Sequence, residues 1–271
     1  MKDLSNIKII FVDIDGTLVT SDKIVTENTK KAIARAVEKG IYIVLISGRD
    51  SFHTILKSKE AYASNIIIAC NGAEIYDYHN DKLIFIDKIP SEKVKTILDF
   101  CDNNGIELLA KSINGRFVNK FVSEKEEEKV LGKNLETVEG YNNINFTQLV
   151  MISNNQEVIK KSVDLISELG LVITNYSSSF LEQKPVNRYR LDINNSNINK
   201  QTAVTKLLEY LNINKEDSMC FGDFVNDIGM FEAVGFKVAM GNACDELKEK
   251  ADFVTKTNNE DGIAYVLDNY L

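Results

Sequence analysis

The apolar positions of the chain fall into short runs, and several of these runs end in small polar or acidic residues. Runs at Ile9–Val12, Ile41–Ile46 and Ile66–Cys70 predict strands that are buried on both faces, as in a parallel sheet. Between the first two runs, residues 25–39 space their apolar side chains as a helix does, and Gly40 closes that segment. Strands that alternate with helices indicate βαβ units, so the sequence predicts an α/β fold with helices on both faces of the sheet.

The pattern changes after the third run. Between about residues 80 and 190, short strand-like segments are mixed with two amphipathic helices. One is expected over 92–103 with Ser91 as its N-cap, and the other over 155–170. The charged run Ser123–Glu128 is expected to be a solvated helix face or a loop. This mixture predicts an α+β block with antiparallel strands.

The first pattern resumes at Lys200 with a helix, and another buried run follows at Ser218–Phe221. Because both ends of the chain carry the same pattern, they are expected to form one sheet. We therefore expect a discontinuous core made of residues 1–80 and 191–271, with a second domain, residues 81–190, inserted between its halves.

Composition narrows the class of protein. The chain has 271 residues, 44% of them hydrophobic, with a net charge of −8 and a pI near 5.0. An acidic chain without a basic stripe argues against a nucleic-acid partner. No apolar run approaches the length of a membrane span and no leader pattern opens the chain, so no membrane contact and a cytoplasmic location are expected. A monomer or a weak homo-oligomer is expected.

Four cysteines without a C-x-x-C pair make a structural zinc site or a disulfide framework improbable at this length. The chain has two histidines, and it contains neither a G-x-S-x-G elbow nor a Walker-type glycine loop. The chemistry must therefore use carboxylates, lysines and hydroxyls.

Two carboxylates, Asp13 and Asp15, follow the first run and are succeeded by Gly16 and Thr17. In extended chain, positions i and i+2 point the same way, so both carboxylates are expected at the carboxyl end of the strand, where α/β proteins bind ligands. Carboxylates this close repel each other, so either a cation lies beside them or one holds a proton. Mg²⁺ is the leading candidate, because it takes oxygen ligands and leaves room for a phosphate oxygen. The alternative is a strand end closed by solvated turn aspartates.

The second run ends in Ser47-Gly48-Arg49, which offers a hydroxyl, backbone N–H groups and a guanidinium. Such an exit can hold a phosphate, particularly if a helix begins just beyond it, here near Asp50. The alternative is a turn serine followed by Asp50 acting as a helix cap.

A further set of polar residues follows the run that begins at Ser218. Together with those above, the residues expected at one edge of the sheet are Asp13, Asp15, Ser47, Lys200, Asp223, Asn226 and Asp227. Two or three oxygen ligands suffice for Mg²⁺, and a lysine can balance the charge of a transferring phosphoryl group. One carboxylate is then available as a nucleophile and a second as a general acid and base.

These motifs resemble those of haloacid-dehalogenase-superfamily phosphatases of the Cof type. The motifs are Asp13–Leu18, Ser47–Arg49, Lys200 and Gly222–Asp227, in the family's order, and Asn71-Gly72-Ala73 and Met240-Gly241-Asn242-Ala243 are also similar. The resemblance extends over essentially the whole chain. It implies a Rossmann-like parallel-sheet core with an inserted α+β cap domain, and a Mg²⁺-dependent phosphatase.

The resemblance also implies roles for single residues. Asp13 would be the nucleophile, and Asp15 would protonate the leaving oxygen and then activate water. The implied ligands of Mg²⁺ are Asp13, Asp15 through its backbone carbonyl, Asp223 and Asp227. The groups implied to hold the phosphate are Ser47, Gly48, Lys200 and Asn226. Two positions depart from the family pattern, because Phe224 is bulkier than expected and Gln201 replaces a frequent glycine.

The expected activity is the hydrolysis of small phosphorylated metabolites through an aspartyl phosphate, with sugar phosphates first and cofactor phosphates second. Three alternatives remain. A phosphomutase would return the phosphoryl group to the sugar and release little free phosphate. A signalling receiver domain would retain its phosphoryl group, but the inserted block and Asp15 oppose it. A non-catalytic phosphometabolite-binding protein would bind without turnover.

Overall fold

The computed structural model describes residues 4, 6–122, 132–134, 143–176 and 188–271. The expected charged loop at Ser123–Glu128 lies outside these ranges. The strands are β1 (Ile9–Asp13), β2 (Tyr42–Ile46), β3 (Ile66–Ala69), β4 (Glu74–Asp77), β5 (Lys82–Ile86), β6 (Glu107–Ser112), β7 (Gly115–Val118), β8 (Gly132–Asn134), β9 (Phe146–Ser153), β10 (Leu171–Tyr176), β11 (Tyr189–Asn195), β12 (Ser218–Gly222), β13 (Phe236–Ala239) and β14 (Phe253–Val254). The helices are α1 (Glu27–Glu38), α2 (Ser51–Glu60), α3 (Ser91–Asn104), α4 (Gln156–Glu168), α5 (Lys200–Leu211), α6 (Ile228–Ala233), α7 (Asp245–Glu249) and α8 (Gly262–Tyr270).

The chain divides into two compact units, Met1–Phe85 with Asn199–Leu271, and Ile86–Ile198. The junctions fall a few residues beyond the expected ones at 80/81 and 190/191. The reason is strand pairing, because β5 forms the edge of the first unit's sheet and β11 lies inside the sheet of the second unit.

The first unit is built on an eight-stranded sheet in the order β14-β13-β12-β1-β2-β3-β4-β5. β1 is buried along its whole length and pairs in parallel with β2 on one side and β12 on the other. Both ends of the chain therefore contribute to one sheet, and the predicted α/β class with a parallel-sheet core is confirmed. The hydrophobic pattern did not indicate that β4 turns back antiparallel to β3.

The second unit contains a six-stranded sheet in the order β10-β11-β9-β6-β7-β8. Its central strand pairs, β9 with β6 and β9 with β11, are antiparallel, as the mixture of short strand-like segments and helices predicted. Buried side chains of α3 and α4, such as Ile97 and Ile166, share one core with strand residues such as Leu149. Ser91 is the first residue of α3 rather than its cap, and Pro90 occupies the cap position.

The four cysteines form no disulfide, and Cys70, Cys101 and Cys220 are buried. Within the described ranges, no helix has both the length and the apolar character that a bilayer crossing requires.

Candidate active site

Three neighbouring strands and one helix deliver the polar residues of the site. Asp13 is the last residue of β1, and it is in register with Ile46, so Ser47 follows directly at the adjacent strand end. Asp223 follows β12 on the other side of β1. Lys200 is the first residue of α5, which the Asn199 side chain caps by accepting the Thr202 N–H at 2.9 Å.

Lys200 forms the centre of a buried charge cluster. Its Nζ lies 2.5 Å from Asp13 Oδ1 and 2.6 Å from Asp227 Oδ1, and the residue is 2% exposed. Asp13 and Asp227 are buried as well. An ammonium group withdrawn from water in this way requires close carboxylates to offset its lost hydration.

Asp223 completes the group of carboxylates. One ligand atom from each of Asp13, Asp223 and Asp227 lies within 4.8 Å of the others. Thr17 Oγ1 donates to Asp223 Oδ1 at 2.8 Å and fixes that side chain. Gly16 is required beside it, because a Cβ at this position would lie 2.2 Å from Asp223 Oδ2 and the backbone has φ +86°.

The orientation of Asp227 is set by the turn that follows β12. Its Oδ2 accepts the backbone N–H of Asp223 at 3.0 Å and that of Phe224 at 3.2 Å, while Oδ1 faces Lys200. Gly222 permits this close return of the chain, since a Cβ there would lie 2.7 Å from Asp227 Cβ. Asp227 therefore links the turn to the charge cluster.

Burial and mutual repulsion shift the acidity of these groups. Burial is the largest influence on Asp13 and raises its pKa, the charges of Asp227 and Asp223 act in the same direction, and Lys200 opposes them. Burial, followed by the charge of Asp227, raises the pKa of Asp223 to about 6. Burial acts to lower the pKa of Lys200, but the charges of Asp13 and Asp227 outweigh burial, and the pKa is raised.

The cluster has the donor set of a hard divalent cation. Three carboxylates share one ammonium, so the ionised cluster lacks positive charge, and repulsion between the carboxylates adds to burial in raising the pKa values of Asp13 and Asp223. Oxygen ligands of this kind suit Mg²⁺, which also retains water and binds phosphate oxygens. The residues present therefore fit a Mg²⁺ ion held by Asp13, Asp223 and Asp227.

Asp15 does not join the three clustered carboxylates. Its side chain is 46% exposed and forms a bidentate pair with Arg49, whose Nε and Nη2 donate at 2.8 and 2.7 Å. Lys23 Nζ lies 3.2 Å away. Burial acts to raise the pKa of Asp15, but Arg49 and Lys23 outweigh it and the pKa is lowered. The predicted need for a cation beside the two carboxylates is therefore met separately, by Lys200 for Asp13 and by Arg49 for Asp15.

The remaining expected phosphate-binding residues lie on the two adjacent turns. Ser47 is buried, and its Oγ accepts the Arg49 N–H at 3.1 Å. Gly48 follows it in the same turn, and Asp50 caps α2 by accepting the His53 N–H at 2.9 Å, so the helix begins where the sequence predicted. Asn226 is exposed on the turn that carries Asp227.

Sequence reasoning missed two contributors. The first motif contains Thr17 but implies no role for it, although its hydroxyl holds Asp223. Asn242 was likewise given no role, and its Nδ2 donates to the carbonyl of Gly16 at 2.8 Å. A signal for Asn242 was available in the sequence. It lies just beyond the buried strand β13, as other residues of the site lie just beyond theirs.

Comparison with known proteins identifies the family. The family model of haloacid dehalogenase-like hydrolases matches residues 10–267. The 5-amino-6-(5-phospho-D-ribitylamino)uracil phosphatase YcsE of Bacillus subtilis is 30% identical over 268 residues, 98% of this chain and 96% of that protein. The pyridoxal phosphate phosphatase YbhA of Escherichia coli is 27% identical over 276 residues, 97% of this chain and 98% of that protein.

A solved structure of a haloacid dehalogenase-like hydrolase has the same fold. The crystal structure of a haloacid dehalogenase-like hydrolase from Bacteroides thetaiotaomicron superposes with a TM-score of 0.81 at 25% identity, covering 98% of this chain and all of that one. Family, relatives and fold extend over nearly the full length of the sequence. The chain therefore belongs to the haloacid dehalogenase-like hydrolases and is a phosphatase of that family.

Proposed function

We propose that this phosphatase hydrolyses phosphate monoesters of small metabolites with Mg²⁺, through an aspartyl phosphate on Asp13. The observation that carries the proposal is the convergence of Asp13, Asp223 and Asp227 around Lys200. The Lys200 ammonium group lies 2.5 Å from Asp13 Oδ1, so it can also neutralise the charge of a phosphate group that approaches this carboxylate.

Each residue has a defined task in this proposal. A carboxylate oxygen of Asp13 attacks phosphorus, and the bond from phosphorus to the ester oxygen breaks. Asp15 begins the cycle protonated, a state that the negative charge of the bound phosphate favours. It supplies that proton to the departing alcohol oxygen and afterwards takes one from the water that attacks the aspartyl phosphate. Water and ester are thereby converted to alcohol and inorganic phosphate, and both side chains return to their starting states.

Other groups bind and orient the phosphate. Lys200 supplies positive charge, and Ser47, the Gly48 N–H and Asn226 supply hydrogen bonds. Mg²⁺, held by Asp13, Asp223 and Asp227 with the backbone carbonyl of Asp15 as a further oxygen donor, would stabilise charge on the phosphoryl oxygens when bound. Arg49 holds Asp15 in place through its two hydrogen bonds.

The substrate class follows from the relatives and from charge. The two relatives named above act on a ribityl phosphate and on pyridoxal phosphate, which are both small phosphate esters. The net charge of −8 does not favour polyanionic polymers as substrates. Sugar and sugar-alcohol phosphates are therefore the first substrates to test, and cofactor phosphates such as pyridoxal phosphate are the second.

The test is phosphate release from p-nitrophenyl phosphate and from a panel of these esters, with Mg²⁺ and with a chelator. We expect release that requires Mg²⁺, and a loss of about 1,000-fold or more in Asp13→Asn, because an amide cannot act as the nucleophile. Asp268→Asn is the matched control, since this carboxylate pairs with Arg35 on the surface. It should retain wild-type activity.

Three results would contradict the proposal. Activity of Asp13→Asn near that of wild type would exclude Asp13 as the nucleophile. An isomeric phosphoester without free phosphate would instead identify a mutase. Binding of the esters with no turnover by the folded, Mg²⁺-loaded protein would identify a binding protein.

A further inference from the structure

A short turn between β3 and β4 has an unusual backbone. Cys70, Asn71 and Gly72 follow one another with φ of +51°, +58° and +109°. Cys70 and Asn71 are also buried, so neither conformation results from a loose surface loop. Residues other than glycine rarely adopt this region, and successive cases persist only where the surroundings enforce them. The neighbours of the turn therefore indicate what the strained conformation accomplishes.

One side of the turn holds the segment that follows β2. The Asn71 N–H donates to the carbonyl of Ser47 at 3.0 Å, and the Cys70 N–H donates to the carbonyl of Arg49 at 2.8 Å. The Asn71 side chain packs against Gly48, because a Cβ on that glycine would lie 2.8 Å from Asn71 Oδ1. The turn thus contacts each of the three residues of the Ser47-Gly48-Arg49 segment.

The other side of the turn abuts the start of α5. A Cβ on Gly72 would lie 2.6 Å from the backbone carbonyl oxygen of Asn199 and 2.9 Å from Ala203 Cβ. Asn199 is the cap residue of α5, and Lys200 comes next. The separation between the turn and the backbone that carries Lys200 is therefore set by the absence of a side chain at Gly72.

We propose that the Cys70–Gly72 turn is a positioning element that fixes the Ser47–Gly48 segment and Lys200 relative to each other. This inference rests on the proposed function, in which both groups bind the same phosphate. One rigid turn between them sets the distance across which the phosphate must fit. Neither Asn71 nor Gly72 needs to touch the substrate, so both are positioning residues rather than catalytic ones.

Gly72→Ala tests the turn directly. The added methyl group must displace either the carbonyl of Asn199 or the turn itself, and in each case one of the two phosphate-binding groups moves. Misplacement of about 1 Å lowers catalytic efficiency by up to about 100-fold, so we expect a fall in kcat/KM of that order. We also expect the inhibition constant for inorganic phosphate to rise at least about tenfold.

Gly40→Ala is the matched control. Gly40 also has a positive φ, +85°, but a Cβ there would meet nothing within 4 Å. It therefore carries the same kind of backbone penalty as Gly72→Ala without the clash, and KM and phosphate inhibition should stay at their wild-type values. A purely structural defect lowers the active fraction and leaves both constants unchanged, so the phosphate inhibition constant separates positioning from misfolding.

Asn71→Gly keeps the inference testable if Gly72→Ala does not fold. Glycine accepts the positive φ and preserves the backbone N–H, but it removes the side chain that packs on Gly48. We expect a folded protein whose phosphate inhibition constant is raised about three- to tenfold. If the wild type is active and the folded variants keep its KM and its phosphate inhibition constant, this inference is overturned and the proposed function is not. A folded, Mg²⁺-loaded wild type that hydrolyses no ester would overturn the proposed function and this inference with it.

Discussion

Replacing Lys200 with methionine tests how strongly the first unit depends on charge balance inside the site. The ammonium group lies 2.5 Å from Asp13 Oδ1 and 2.6 Å from Asp227 Oδ1, and Lys200 is 2% exposed. Methionine preserves most of the apolar stem. It leaves two buried carboxylates facing each other without their common counter-charge, so the folded state must either keep them ionised at high cost or bind protons.

The expected loss of unfolding free energy follows from burial. Removing one partner of a buried ion pair costs about 3–5 kcal/mol, because the remaining charge stays withdrawn from water. Lys8→Met is the matched control. Its Nζ lies 2.7 Å from Asp217 Oδ2, but the side chain of Lys8 is 60% exposed, and exposed pairs contribute about 0–1 kcal/mol. We therefore expect Lys200→Met to lose at least about 2 kcal/mol more than Lys8→Met.

The assay is urea unfolding followed by circular dichroism in buffer with a chelator, so that Lys200 supplies the charge balance without help from a divalent cation. A triple variant, Lys200→Met with Asp13→Asn and Asp227→Asn, carries no buried charge at these positions. It should recover part of the stability lost in Lys200→Met. Equal losses in Lys200→Met and Lys8→Met would refute the reasoning, and so would a triple variant less stable than Lys200→Met.

Three further predictions follow from single contacts. Gly16→Ala should lose about 2 kcal/mol or more in urea unfolding, together with activity, because φ is +86° and the new Cβ would strike Asp223. Asn119→Ala should lose about 3 kcal/mol, because the buried amide accepts the N–H of Leu108 at 2.9 Å and that group would be left unsatisfied. Burial acts to raise the pKa of Asp261, but hydrogen bonds from the start of α1 outweigh it and lower that pKa below the ordinary 3.8, so its stabilising effect is present above about pH 4 and is lost as the pH falls through the folded-state pKa. The stability advantage of wild type over Asp261→Asn should therefore shrink in thermal melts as the pH falls below about 4, and a constant difference would contradict this.

The strands were the most predictable part of the fold because burial on both faces leaves an unambiguous apolar run. β1 is fully buried and begins and ends within one residue of its predicted limits. The antiparallel return of β4 left no such signal, since its residues Glu74–Asp77 include two acids and a tyrosine, and Glu74 is nevertheless fully buried. A buried acid departs from the hydrophobic pattern on which sequence reasoning depends.

The alternation of side chains along a strand did not predict the positions of both aspartates of the first motif. Alternation along a strand places positions i and i+2 on the same side, but β1 ends at Asp13. Beyond it the chain turns, and Asp15 lies outside the strand in a contact with Arg49. The pairing of Lys200 with Asp13 spans 187 positions and depends on the packing of α5 against the sheet edge. The sequence predicted Lys200 and Asp13 at the same sheet edge, but spacing alone contains no information about their ion pair.

The two departures from the family pattern have different physical consequences. Gln201 occupies a position where glycine is frequent, and the room for it comes from Gly229 in α6, where a Cβ would lie 3.2 Å from Gln201 Cβ. Phe224 is 50% exposed, and its contribution to the site is its backbone N–H, which donates to Asp227 Oδ2. A backbone donor does not depend on the size of the side chain, so a bulky residue here leaves the orientation of Asp227 intact. Proline, which has no N–H, would remove that hydrogen bond and loosen the carboxylate that holds Lys200.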